Sequence, residues 1–119
     1  MRKLPFAAAF LLAAGAFAFA LPRPKARAFA GQIMDEPCAT QGNHKMGYQM
    51  TGTHTPKDCT IACANAGAKI VLYSAATKTI YLLDNQAKAR EFAGQTVEVF
   101  GAYDPHTRTI HVEKIEAKR

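Results

Sequence analysis

No apolar run in this 119-residue chain reaches the roughly 20 residues that a membrane-spanning helix needs. The longest, Leu4 to Ala20, is broken by Pro5 and Gly15, and no lipobox cysteine follows it, so a lipid anchor there has no attachment point. The motifs of enzymes are missing too. There is no Ser-His-acid arrangement, no glycine-rich loop of the kind that cradles phosphates, and no carboxylate pair set in an apolar stretch. Asp35 and Glu36 are adjacent, but neighbours at a strand end point to opposite faces. No Cys-x-x-Cys-His segment occurs, which excludes the usual covalent attachment of a c-type haem. Cysteine itself is scarce, with three residues, Cys38, Cys59 and Cys63. An even number would suggest a closed disulfide set in an oxidising compartment. Three leaves a free thiol, a bridge between two chains, or a metal holding several ligands at once.

The amino-terminal end carries a targeting pattern. Arg2 and Lys3 precede the apolar run, and small residues follow at the spacing a signal peptidase accepts: Ala18-Phe19-Ala20, Ala26-Arg27-Ala28 and Ala28-Phe29-Ala30. The expected organisation is a signal peptide over residues 1–28, cleaved near Ala28 or Ala30, and a single domain over residues 29–119. The product is then periplasmic or secreted, without a stable membrane anchor. Five of the 15 basic residues (Arg2, Lys3, Arg23, Lys25 and Arg27) and none of the 9 acids lie in that leader, which leaves 10 bases against 9 acids in the domain. The basic balance of the full chain is thus a targeting feature, and bulk charge gives no support for nucleic-acid binding. A domain of about 90 residues buries a modest core and benefits from a crosslink.

Apolar periodicity and turn residues divide the domain. Phe29 to Asp35 reads as a first strand, ended by Glu36-Pro37. Residues 42–56 read as a polar loop with Gly42, Gly47 and Gly52 and no apolar period. Thr55-Pro56-Lys57-Asp58 opens a short helix over 56–66, with Thr55 as cap and Pro56 at the first position. Lys69 to Tyr73 and Thr79 to Leu83 are two strands joined by a turn. Asp84 is the expected cap of a second short helix, Gln86 to Ala93. Alternation at Val97, Val99 and Gly101, and at Ile110 and Val112, marks strands four and five. The fold class is therefore mainly β: a five-stranded OB-like barrel with a short cysteine-bearing helix after strand 1 and another between strands 3 and 4. A five-stranded open sheet with its helices on one face is the competing architecture.

The reactive side chains crowd into one segment. Cys59 and Cys63, four apart on the first helix, share a face, and a direct bridge between them in a regular helix would be strained. With Cys38 and His44 folding over them they form a Cys₃His set that suits tetrahedral zinc. The spacing is not that of the usual Cys-x₂-Cys knuckle. Met46, Met50 and His54 are further donors in the loop, and the two thioethers bring copper into consideration behind zinc. Packing of the loop against the mouth of the fold is the simpler role for Met46 and Met50. His106, in a turn, and His111, on the polar phase of a strand, read as surface residues. Cys59 with His44 as base is the one thiol nucleophile on offer.

Gly31-Gln32-Ile33-Met34-Asp35-Glu36-Pro37-Cys38, then His44, Cys59-Thr60 with Cys63, Gly67-Ala68-Lys69 and Val71-Leu72 resemble a family of small exported bacterial domains of unknown function. Its pattern is G-x-I-x-D-x-x-C, a histidine, and C-T-x-x-C-x-x-x-G-A. Ala93-Gly94-Gln95 with Val97, Val99 and Gly101, and Thr109-Ile110 with Val112 and Ile115, extend the likeness over nearly all of the domain. The resemblance implies an OB-like domain outside the cytoplasm and no known activity. This chain departs from the pattern in the length of its Cys38–Cys59 segment and in the spacing to His44, for which His54 is the substitute.

The expected function is binding, not catalysis: an exported domain whose metal is held by Cys38, His44, Cys59 and Cys63, for structure or for metal handling. The alternative is a disulfide-stapled module without metal that presents its sheet to an envelope protein, peptide or glycan. A thiol redox protein is the third.

Overall fold

A computed structural model of the chain describes residue 3, residues 14–17 and residues 24–119. Most of the expected signal peptide, residues 1–28, lies outside the described residues. Among the described residues no helix is long and apolar enough to cross a membrane.

The architecture is mainly β. Strand β1 (Arg27–Asp35) pairs antiparallel with both β2 (Ile70–Ser74) and β4 (Thr96–Asp104). Strand β2 pairs with β3 (Thr79–Leu83), and β4 with β5 (Thr109–Ala117). A short parallel pairing of β3 with β5, Leu82 opposite Thr109 and Leu83 opposite Ile110, closes this mixed sheet into a ring in the order β1-β2-β3-β5-β4. Closure overturns the open-sheet alternative. The first strand begins at Arg27, earlier than its apolar residues suggest, because Arg27 and Ala28 already pair with Gly101 and Phe100.

Alternation decides what fills the ring. Phe29, Ile33, Ile70, Leu72, Leu83, Val97, Val99, Ile110 and Ile115 form the inner core, with Ala89 closing over it. An irregularity opposite Phe100 and Gly101 inserts Glu113 into β5, which shifts the phase from Ile110 to Ile115. The run Ile33-Met34-Asp35 is buried at every residue, as is Ile70-Val71-Leu72, so the sheet here is covered on both faces. On the outer face, Met34 and Val71 pack with Cys38, Ala39 and Cys59 into a second, smaller cluster.

The cover consists of three short helices. α1 (Glu36–Gln41) starts where the Cys38 N–H donates to Asp35 Oδ2 at 3.0 Å, with Pro37 in its first turn. α2 (Lys45–Thr51) ends at Gly52, whose N–H donates to the Tyr48 carbonyl at 2.9 Å. α3 (Pro56–Asn65) starts as expected, the Asp58 N–H donating to Thr55 Oγ1 at 3.1 Å. Residues 42–56 are thus not the structureless loop their composition suggests. α1 and α2 are only 6 and 7 residues long. Each buries only one or two residues (Cys38 and Ala39, then Gly47), too few to print a helical period on the sequence. Gly94, at φ +74°, abuts the start of α3. A Cβ there would lie 2.6 Å from the Pro56 carbonyl carbon, so glycine lets this turn seat the helix.

The last helix, α4 (Gln86–Glu91), differs from expectation in its cap and its end. Asn85, not Asp84, accepts from the Lys88 N–H, at 3.0 Å. Asp84 instead accepts from the Val112 N–H at 2.8 Å and meets His111 Nδ1 at 3.1 Å, tying β3 to β5. The helix stops two residues before Ala93 because Phe92 and Ala93 turn inward against the core.

Candidate metal centre

The site sits where β1 hands over to the helical cover. Asp35, the last residue of β1, is fully buried and caps α1. Cys38 follows in the first turn of α1, His44 stands at the head of α2, and Cys59 lies one turn into α3. Asp35, Cys38, His44 and Cys59 each offer one ligand atom, and these atoms all lie within 4.8 Å of one another. All four residues are buried, His44 at 8 % exposure being the least so.

Cys38 Sγ and Cys59 Sγ are 4.0 Å apart, and all three cysteines are free thiols. Two Zn–S bonds of about 2.3 Å at a tetrahedral angle place their sulfurs about 3.8 Å apart, close to this separation. A disulfide requires about 2.05 Å. Asp35 Oδ2 is occupied by the Cys38 N–H, whereas Oδ1 has no hydrogen-bond partner in the protein, and neither does either ring nitrogen of His44. The His44 ring stacks on Tyr48, with centroids 5.6 Å apart and 22° between planes.

Gly47 explains how α2 closes over the two sulfurs. A Cβ at this position would stand 2.5 Å from Cys59 Sγ and 2.6 Å from Cys38 Sγ. Any side chain here would lift the helix off the thiols or push them apart.

No family of known proteins matches this chain, nor does any curated protein or solved structure.

Burial sets the group against charge of either sign on its own side chains. Burial, and then the Asp35 carboxylate, hold the Cys38 thiol protonated far above its ordinary range. Burial pushes the His44 imidazole toward its neutral form, which Asp35 only partly opposes. Tyr48 is also pushed up, by burial and then by the neighbouring Cys59 and Cys38. A dication reverses the balance for the thiols, because a coordinating thiol gives up its proton. The donor set, two sulfurs with one nitrogen and one oxygen, could hold a metal ion.

Of the residues singled out in the sequence, the structure brings Cys38, His44 and Cys59 together and places Asp35 fourth among them, where Cys63 was expected. Cys63 is half-buried at the edge of the group. Burial, then Asp35 and Cys59, push its thiol up to about 11. His54 is exposed and outside the group. Met46 and Met50 are also outside it, 41 % and 77 % exposed on α2. His106 is on the surface, as is His111 beside Asp84. In the sequence Asp35 reads as a strand end, which does not mark a ligand. The signal was present: an aspartate just before Glu36-Pro37 is a helix cap, and a capping carboxylate is held with one oxygen occupied and the other to spare.

Proposed function

We propose that this chain is an exported OB-like domain that binds a metal ion, zinc, through Asp35, Cys38, His44 and Cys59. The observation that carries the reading is the convergence of four buried donors, two of which keep polar atoms without a partner in the protein. A buried polar atom left unpaired costs about 1–3 kcal/mol, and a bound ion gives such atoms a partner. The ion also joins β1, α1, α2 and α3, where the outer cluster is small. The role is therefore structural, or one of metal handling, and not catalytic.

The strand order, with β3 parallel to β5 and α4 between β3 and β4, supports the OB-like reading. The apolar leader after Arg2-Lys3 supports export to the periplasm or beyond. The test is metal content together with free-thiol content in protein isolated from the periplasm. One zinc per chain with three titratable thiols after chelation supports the reading.

The 4.0 Å approach of Cys38 and Cys59 favours one second reading. Loss of two electrons and two protons to a disulfide oxidant would staple α1 to α3, leaving a metal-free module for an envelope protein, peptide or glycan. Two thiols missing from the count, with no metal, would select it.

A further inference from the structure

Beside the buried centre a groove of about 440 Å³ opens to solvent, and its lining includes Asp35 and Cys38 from the centre, Met46 and Met50 from α2, and Cys63 from α3. Met46 and Met50 stand four residues apart on α2 and so share one face of the helix. They are the large apolar side chains left exposed among described residues 24–119. At 77 % exposure Met50 fills no gap in the core, which removes the packing role its residue type suggests. What both methionines contribute to the groove is a thioether, and Cys63 adds a thiol. Asp35 contributes a buried carboxylate whose Oδ1 has no partner in the protein.

We propose that this groove is a second, outer metal site, where Met46, Met50 and Cys63 take up the soft monovalent ion Cu(I) above the buried centre. Thioethers are neutral, soft donors. They select Cu(I) and hold zinc poorly, so the outer site differs from the buried one in the ion it accepts. On uptake the Cys63 thiol forms a bond to copper and releases its proton to solvent, with no change of oxidation state. In the zinc-loaded chain Asp35 is held by the buried ion, so the donors of the groove itself are the two thioethers and the Cys63 thiolate. This inference rests on the metal-centre reading only in that the groove leads to that centre, and the experiment separates the two.

The full chain is loaded with zinc and titrated with Cu(I) against bicinchoninate as a competing chelator, with both metals counted. The expected result is one Cu(I) bound beside a retained zinc. Met46→Leu/Met50→Leu and Cys63→Ser should each weaken Cu(I) binding at least about tenfold with zinc content unchanged. The two methionines are exposed and leucine keeps their apolar bulk, so folding is preserved, which circular dichroism checks. Equal Cu(I) binding by wild type and the double variant overturns the outer site, as does one-for-one displacement of zinc with no further copper bound. If the chain binds no zinc, the buried-centre reading fails. Titration of the zinc-free chain then still decides the groove: dependence on Met46 and Met50 supports it, and indifference overturns it.

Discussion

Replacing Asp35 by asparagine separates the two jobs this residue holds. Asp35 caps α1 by accepting from the Cys38 N–H at 3.0 Å, and it faces the centre with its second oxygen. Asparagine caps a helix about as well as aspartate, so Asp35→Asn keeps the first job and removes the charged ligand of the second. Asp35→Ala removes both, and loss of the cap alone costs about 1 kcal/mol. Loss of a residue that merely supports a ligand typically weakens metal binding about 10–100-fold, so loss of a ligand should cost at least about 100-fold, or about 2.8 kcal/mol. At a zinc concentration about 1,000 times the wild-type dissociation constant, bound ion stabilises the wild type by about 4.1 kcal/mol. A hundredfold weaker variant retains about 1.4 kcal/mol of this. For a domain of this size the difference amounts to about 10–20 °C in the melting temperature. The assay is thermal unfolding with zinc and with a chelator. Asp35→Asn should melt near the wild type in chelator and well below it in zinc. Equal zinc-induced shifts in the two proteins would refute the ligand role. Equal destabilisation with and without zinc would leave Asp35 only a packing role.

Gly47→Ala should destabilise the chain by about 1–3 kcal/mol through overpacking against the two sulfurs, and should lower zinc affinity as α2 is displaced, both measurable by urea titration with and without zinc. Phe29→Ala should cost about 3–5 kcal/mol in urea unfolding without changing metal content, because its ring packs 5.1 Å from Tyr81 and 5.8 Å from Tyr103, inside the ring of strands. The metal-free chain should be most stable between about pH 6.5 and 9. Burial depresses the pKa of His44 in the folded state, so below its unfolded pKa the unfolded chain binds more protons and stability falls. Cys63 is raised from 9.0 to about 11, so between these values the folded chain holds the extra proton and stability falls as pH rises. Urea midpoints across pH 5–11 check this, and a flat profile would count against the burial of these groups.

Much of the fold is visible in the residues before any coordinates. Val97, Val99 and Ile110 alternate because one face of their strands meets the core and the other meets solvent. Thr55-Pro56 announces α3 by a cap that needs no tertiary partner. α1 rests on the sheet and α2 on α1 and α3, and with so few buried residues neither prints a period of its own on the sequence. Asp84 does not cap α4 because a cap is a local preference, and here the tertiary bond to Val112 claims the carboxylate and leaves the cap to Asn85. At the site, Cys38, His44 and Cys59 announced themselves by residue type. The gathering of Asp35 with these three, and the position of Cys63 at the edge, depend on where β1 ends relative to α3, a distance that spacing along the chain does not encode.

The most direct test of a metal centre is equilibrium dialysis against zinc, with the bound ion counted per chain and its ligands read by X-ray absorption. One zinc is expected, with two sulfurs at about 2.3 Å and nitrogen and oxygen ligands at about 2.0–2.2 Å. It should be lost in Cys38→Ser/Cys59→Ser and retained in Cys63→Ser. A wild-type chain with all three thiols reduced that holds no more zinc than the chelator-treated control would contradict a metal at this site.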